Sequence, residues 1–167
     1  MRYPRAVRLT PFSLLALAPL LAGCPNTDAA VFVDPGIDTP TLAVQSSALG
    51  TGMSGGFSLS LHLGARASGP SQVSLGQFEI QDAQMKTSIV SPLVLDAGTT
   101  MLPVTVSPDS DVTVALTFDT GAKPLSADLA AQLCDPAGVV ITGTIQDSLQ
   151  TGATPVDSDV IKATGCN

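Results

Sequence analysis

The chain has 167 residues, 14 acidic against 7 basic, with 44% hydrophobic residues but only 4% aromatic and no Trp. A net charge of −7 repels phosphate backbones, which excludes nucleic-acid binding, and the lack of exposed aromatic platforms argues against sugar and single-strand recognition. The 33 Ser plus Thr beside one Glu (Glu79) and three Lys suit pleated faces rather than solvent-facing helices, so an all-β fold with many turns is expected.

The first residues have the layout of a secretory signal. Arg2, Arg5 and Arg8 form a positive region, and Pro11 to Leu21 (PFSLLALAPLL) an apolar stretch of 11 residues. That stretch is short of the roughly 20 residues a membrane helix needs. It ends in Leu21-Ala22-Gly23-Cys24, which resembles the lipobox of bacterial lipoproteins; an ordinary signal peptide with a coincidental Cys is the alternative. The resemblance implies cleavage before Cys24 and a membrane anchor through lipid on its thiol. It also implies a cell-envelope location, with Pro25 in place of a retaining Asp leaning towards the outer membrane. Removal of residues 1–23 leaves 144 residues carrying 4 basic and 14 acidic groups, a net −10 and enough for one domain.

Residues 24–40 read as the lipidated Cys and a flexible tether, rich in Pro, Gly and Asp, within which Val31-Phe32-Val33 is a candidate edge strand. Fully extended, such a tether reaches about 50 Å. The domain, 41–167, opens with a strand at 41–46. Gly50–Gly56 (GTGMSGG) reads as a flexible connection, because it lacks the Lys of a phosphate loop. Phe57 to Leu63 (FSLSLHL) alternates faultlessly, with Phe57, Leu59, Leu61 and Leu63 inward and Ser58, Ser60 and His62 outward. Residues 72–81 change phase at Gly76-Gln77, the mark of a β-bulge. Residues 87–95 contain Pro92, which confines a strand to an edge or splits it. Residues 100–106 align Leu102, Val104 and Val106, and Val112 to Phe118 repeats the clean alternation. Leu125, Leu129 and Leu133 recur at helical spacing behind a Ser126 cap, and Asp135-Pro136 stops the run. Strands at 138–146 and 159–164 complete the chain. Seven or eight short antiparallel strands with one helical crossing resemble immunoglobulin-like sandwich modules in architecture, without their Cys…Trp…Cys signature.

With Cys24 lipidated, Cys134 and Cys166 remain, and export implies an oxidising compartment; one disulfide is expected, with two free thiols as the alternative. His62 is the only histidine, and any catalytic triad or zinc site would have to be built on it. Ser58 and Ser60 share its strand face through the period of two, so a solvent-facing strand His is the expected role. The motif DSDV occurs twice, at Asp109, Asp111 and at Asp157, Asp159. Its carboxylates are calcium-ligand candidates or, as expected here, turns that start strands; Asp34 and Asp38 read the same way. One Glu and no aromatic cleft leave no basis for glycoside hydrolysis. No cofactor is implied. The expectation is a non-enzymatic, lipid-anchored envelope module with structural or protein-interaction roles. The alternatives are a calcium-stabilised surface or adhesion module and an accessory subunit of an envelope enzyme or transport complex.

Overall fold

One-sided burial organises the chain into two facing sheets. The structure, a computed structural model, describes residues 30–48, 50–120 and 124–166. The expected signal segment and Cys24 lie outside them.

Nine strands and one helix follow in order among the described residues: β1 (Asp34–Ser47), β2 (Gly50–Leu63), β3 (Ser71–Asp82), β4 (Ser88–Val90), β5 (Leu95–Asp96), β6 (Val104–Val106), β7 (Ser110–Asp119), α1 (Ala127–Leu133), β8 (Val139–Asp147) and β9 (Ala153–Asp157). One sheet runs β1-β2-β7-β5; the other runs β4-β3-β8-β9, with β6 also paired to β3. All these pairings are antiparallel. Reading β1, β2, β7 and β5 as A, B, E and D, and β3, β8 and β9 as C, F and G, reproduces the immunoglobulin strand order. The fold is an all-β sandwich.

The core is filled from both sheets by alternate residues. Phe57, Leu59, Leu61 and Leu63 of β2 and Val114, Leu116 and Phe118 of β7 face Phe78 and Ile80 of β3 and Ile141 and Ile145 of β8. Phe57 and Phe78 stack across the sheets with ring centroids 5.6 Å apart, a contact worth about 0.5–1.5 kcal/mol beyond area burial. Phe78 also lies over its cross-strand partner Gly143. A Cβ at Gly143 would come within 2.2 Å of that ring, so the position requires glycine.

Several expected elements appear as written. β3 shifts register between Leu75 and Phe78, at the anticipated bulge. Ser126 caps α1 by accepting from the Leu129 amide at 3.2 Å, and Leu133 is buried. Pro92, behind a cis peptide bond, separates β4 from β5, and the chain changes sheets there.

Other expectations need correction. The tether does not extend to residue 40: β1 starts at Asp34, and Asp34 to Asp38 pair with His62 to Ser58 of β2. A register shift between Asp38 and Thr41, with Thr39 at φ 47, hides this strand from a search for unbroken alternation. Gly50–Gly56 is not a loop but the first half of β2, paired with β1 throughout. A Cβ at Gly55 would sit 2.3 Å from the Thr41 carbonyl and 2.5 Å from the Phe118 ring, so close packing explains that glycine. Residues 100–106 shorten to β6, leaving Leu102 exposed behind a cis Leu102–Pro103 bond.

The last strand is β9, not 159–164. Pro155 is tolerated because β9 pairs with β8 alone and forms an edge. Residues beyond it form a strap between the sheets. Ile161 bonds Val139 of β8 in both directions at 2.9 Å, and Thr164 then bonds Leu42 and Val44 of β1 at 2.9 and 2.8 Å. A segment that bonds first one sheet and then the other cannot form a continuous ladder with either.

Candidate functional site

Chemistry-bearing residues concentrate at the end of the sandwich where the described chain enters. The sheet registers bring the start of β1, the end of β2, the start of β7, the start of β3 and the end of β8 to this entry end.

On the outer face there, His62 of β2 stands between Asp34 of β1 and Asp111 of β7 in cross-strand register. Its Nδ1 lies 2.7 Å from Asp111 Oδ1, and the side chains are 37% and 79% exposed. Water competes at that exposure, so the pair contributes at most about 1 kcal/mol. Ser60 shares the face, but its hydroxyl donates to the Gly36 carbonyl at 3.2 Å instead of engaging the imidazole as an activated nucleophile must. Ser58 is paired in register with Asp38 and Ala115.

The two DSDV motifs do not converge. Asp109, at φ 59, forms the turn into β7, and Ser110 donates to the Ser107 carbonyl at 2.5 Å, as expected of a strand-starting turn. Asp157, by contrast, closes β9 in the other sheet, and Asp159 follows it in the strap. The second motif thus ends a strand rather than starting one. Ser158 between them bonds β8: its hydroxyl accepts from the Ile141 amide at 2.9 Å and donates to the Asp159 carbonyl at 2.7 Å. Among the described residues, no three His, Cys, Asp or Glu side chains are grouped to share a metal ion. Glu79 is engaged on the surface of β3, where hydrogen bonds from Gln81, Ser88 and Ser91 hold its carboxyl below the usual range.

The polar group with the greatest structural consequence is Asp147, which sequence reasoning missed. The residue is 3% exposed. Oδ2 accepts from the Val33 amide at 2.8 Å; Oδ1 accepts from the Leu149 amide at 2.8 Å and from the hydroxyl of fully buried Ser71. Burial pushes this carboxyl up, but the hydrogen bonds from Ser71, Val33 and Leu149 outweigh it and hold the group below its ordinary value. Asp147 therefore ties the incoming N-terminal segment to the ends of β3 and β8. An Asp directly after a strand reads as a turn former, and nothing local to Asp147-Ser148 signals its burial.

At the opposite end, Cys134, the C-cap of α1, is bridged to Cys166 with Cα atoms 5.6 Å apart. The bridge closes 32 positions of sequence and pins the strap to the helical crossing; in the chain-entropy model such a loop stabilises by about 3–4 kcal/mol. An open trough of about 820 Å³ also crosses the outer face of the β1-β2-β7-β5 sheet. Small side chains such as Thr41, Ser54 and Thr117 line it, with Asp96, Asp119 and Lys162 at its borders.

The strand order, the clamped entry and the bridged exit define an immunoglobulin-type sandwich stapled at both termini of its domain. The sequence matches no family model, and comparisons with curated proteins and with solved structures likewise find no match.

Proposed function

We propose that this protein is a non-enzymatic, lipid-anchored module of the bacterial cell envelope, held in the membrane through Cys24 and serving a structural or protein-interaction role. The observation that carries this reading is the run Leu21-Ala22-Gly23-Cys24 behind three Arg and an apolar stretch. The position of β1 supports it, since the folded domain starts ten positions after Cys24, as a module held close to a surface requires. The engagement of the polar side chains supports the non-enzymatic part. Ser60 is spent on a backbone carbonyl, and Asp147 holds the chain entry.

Replacing Cys24 by Ala is expected to abolish fatty-acid incorporation in growing bacteria and to move the protein from the detergent phase to the aqueous phase on cloud-point separation. Continued partition of Cys24→Ala into the detergent phase would show that the anchor lies elsewhere.

A further inference from the structure

Val31 and Phe32 are large apolar residues left 43% and 44% exposed at the entry end, on a segment that the clamp does not let drift away. Val33, the next residue, is buried, and its amide is fixed to Asp147. The exposed pair is thus held as part of the sandwich surface.

We propose that Val31 and Phe32 seat the entry end of the sandwich on the bilayer that holds the Cys24 lipid, so that the disulfide end points away from it. This rests on the lipid-anchor reading and adds an orientation to it. Val33 stands nine positions after Cys24, so the leash spans at most about 30 Å even when fully extended. β1 alone has 14 residues, about 45 Å of strand. The leash is shorter than the sandwich and cannot run back along it, which forbids an inverted arrangement. Met85, Val94, Met101, Leu102 and Val160 are also exposed, but Val31 and Phe32 alone among these sit on the segment that leads directly to Cys24. The anchor therefore brings them to the bilayer first, which favours standing on the entry end over lying flat.

The charges choose the lipid. Asp34, Asp109 and Asp111 lie exposed at the same end, with Arg66 as the basic residue of the adjoining 64–70 loop. A surface of this sign is repelled by anionic headgroups, so the occupant is a zwitterionic phospholipid surface.

The chain has no Trp, so a single introduced Trp reports its own surroundings. The experiment uses the full lipidated protein in phosphatidylcholine vesicles that carry brominated acyl chains. Phe32→Trp is expected to lose at least half its emission to the bromines and to shift to the blue. Met85→Trp, in the turn after β3 at the other end and 76% exposed, should keep its emission unchanged. Flotation of the same samples reports the anchor separately. Protein that floats with the vesicles while Phe32→Trp stays unquenched, or while both variants are quenched alike, overturns the orientation and leaves the anchor standing. Protein that does not float overturns the anchor and the orientation with it.

Discussion

Replacing Asp147 by Ala is expected to cost about 3–5 kcal/mol, because it leaves the Val33 and Leu149 amides and the Ser71 hydroxyl without their acceptor at a buried site. Asp147→Asn is the sharper variant. Its single oxygen can face the Val33 amide or the Leu149 amide, and the NH₂ group then confronts the other donor. The expected loss is about 1–3 kcal/mol without any change in volume. The pH dependence follows from the same bonds. The folded-state carboxyl is held below its ordinary value, so its contribution is complete above the unfolded value of about 4. It is lost as pH falls below that value, through the folded one. Urea melts between pH 7 and pH 2.5 should therefore show a steeper acid loss for the wild type than for Asp147→Asn. Parallel curves for the two proteins would mean that Asp147 is not the ionised clamp described above.

The second large effect is expected along β2. Leu61→Ala should lose about 2–5 kcal/mol, since the side chain is buried between the sheets and truncation leaves a cavity as well as lost transfer energy. One residue on, His62→Ala should change stability by less than about 1 kcal/mol, because the side chain lies on the outer face and its pair with Asp111 is exposed. Denaturant melts of the two variants check the alternation directly. A loss at His62 as large as that at Leu61 would contradict the register that places Leu61 inward and His62 beside Asp111.

The parts of this fold that could be read from sequence are those where one physical signal acts alone. β2 from Phe57 onward and β7 are buried on one face, so their apolar residues alternate without interruption. The bulge in β3 showed itself as a phase change because burial resumes on the other parity at Phe78. The elements that escaped detection are those where a second constraint erased the pattern. In the first half of β2, Gly55 has no side chain because the Thr41 carbonyl and the Phe118 ring fill its place. The first part of β1 is set off from Thr41 onward by a register shift, and β9 carries Pro155 on an edge, so neither alternates like a central strand. Asp147 escaped for a different reason: its partner Val33 lies 114 positions away, and no local pattern encodes that contact. The candidate site was legible to the extent that it depends on local chemistry. The strand-face position of His62, the turn at Asp109 and the pairing of the two late cysteines all follow from neighbouring residues or from counting thiols. The opposite roles of the two DSDV motifs depend on which strand each one adjoins, and that is set by the sheet topology.

The central claim is that the folded domain is delivered as a lipid-modified chain beginning at Cys24. Intact-mass spectrometry of the protein extracted with detergent from bacterial membranes tests it most directly. The account predicts a chain of 144 residues that starts at Cys24, heavier than its polypeptide by a diacylglyceryl group with or without one further acyl chain, and lighter by two hydrogens for the Cys134–Cys166 bridge. A mass matching an unmodified chain, or a chain that starts at any other residue, would contradict it.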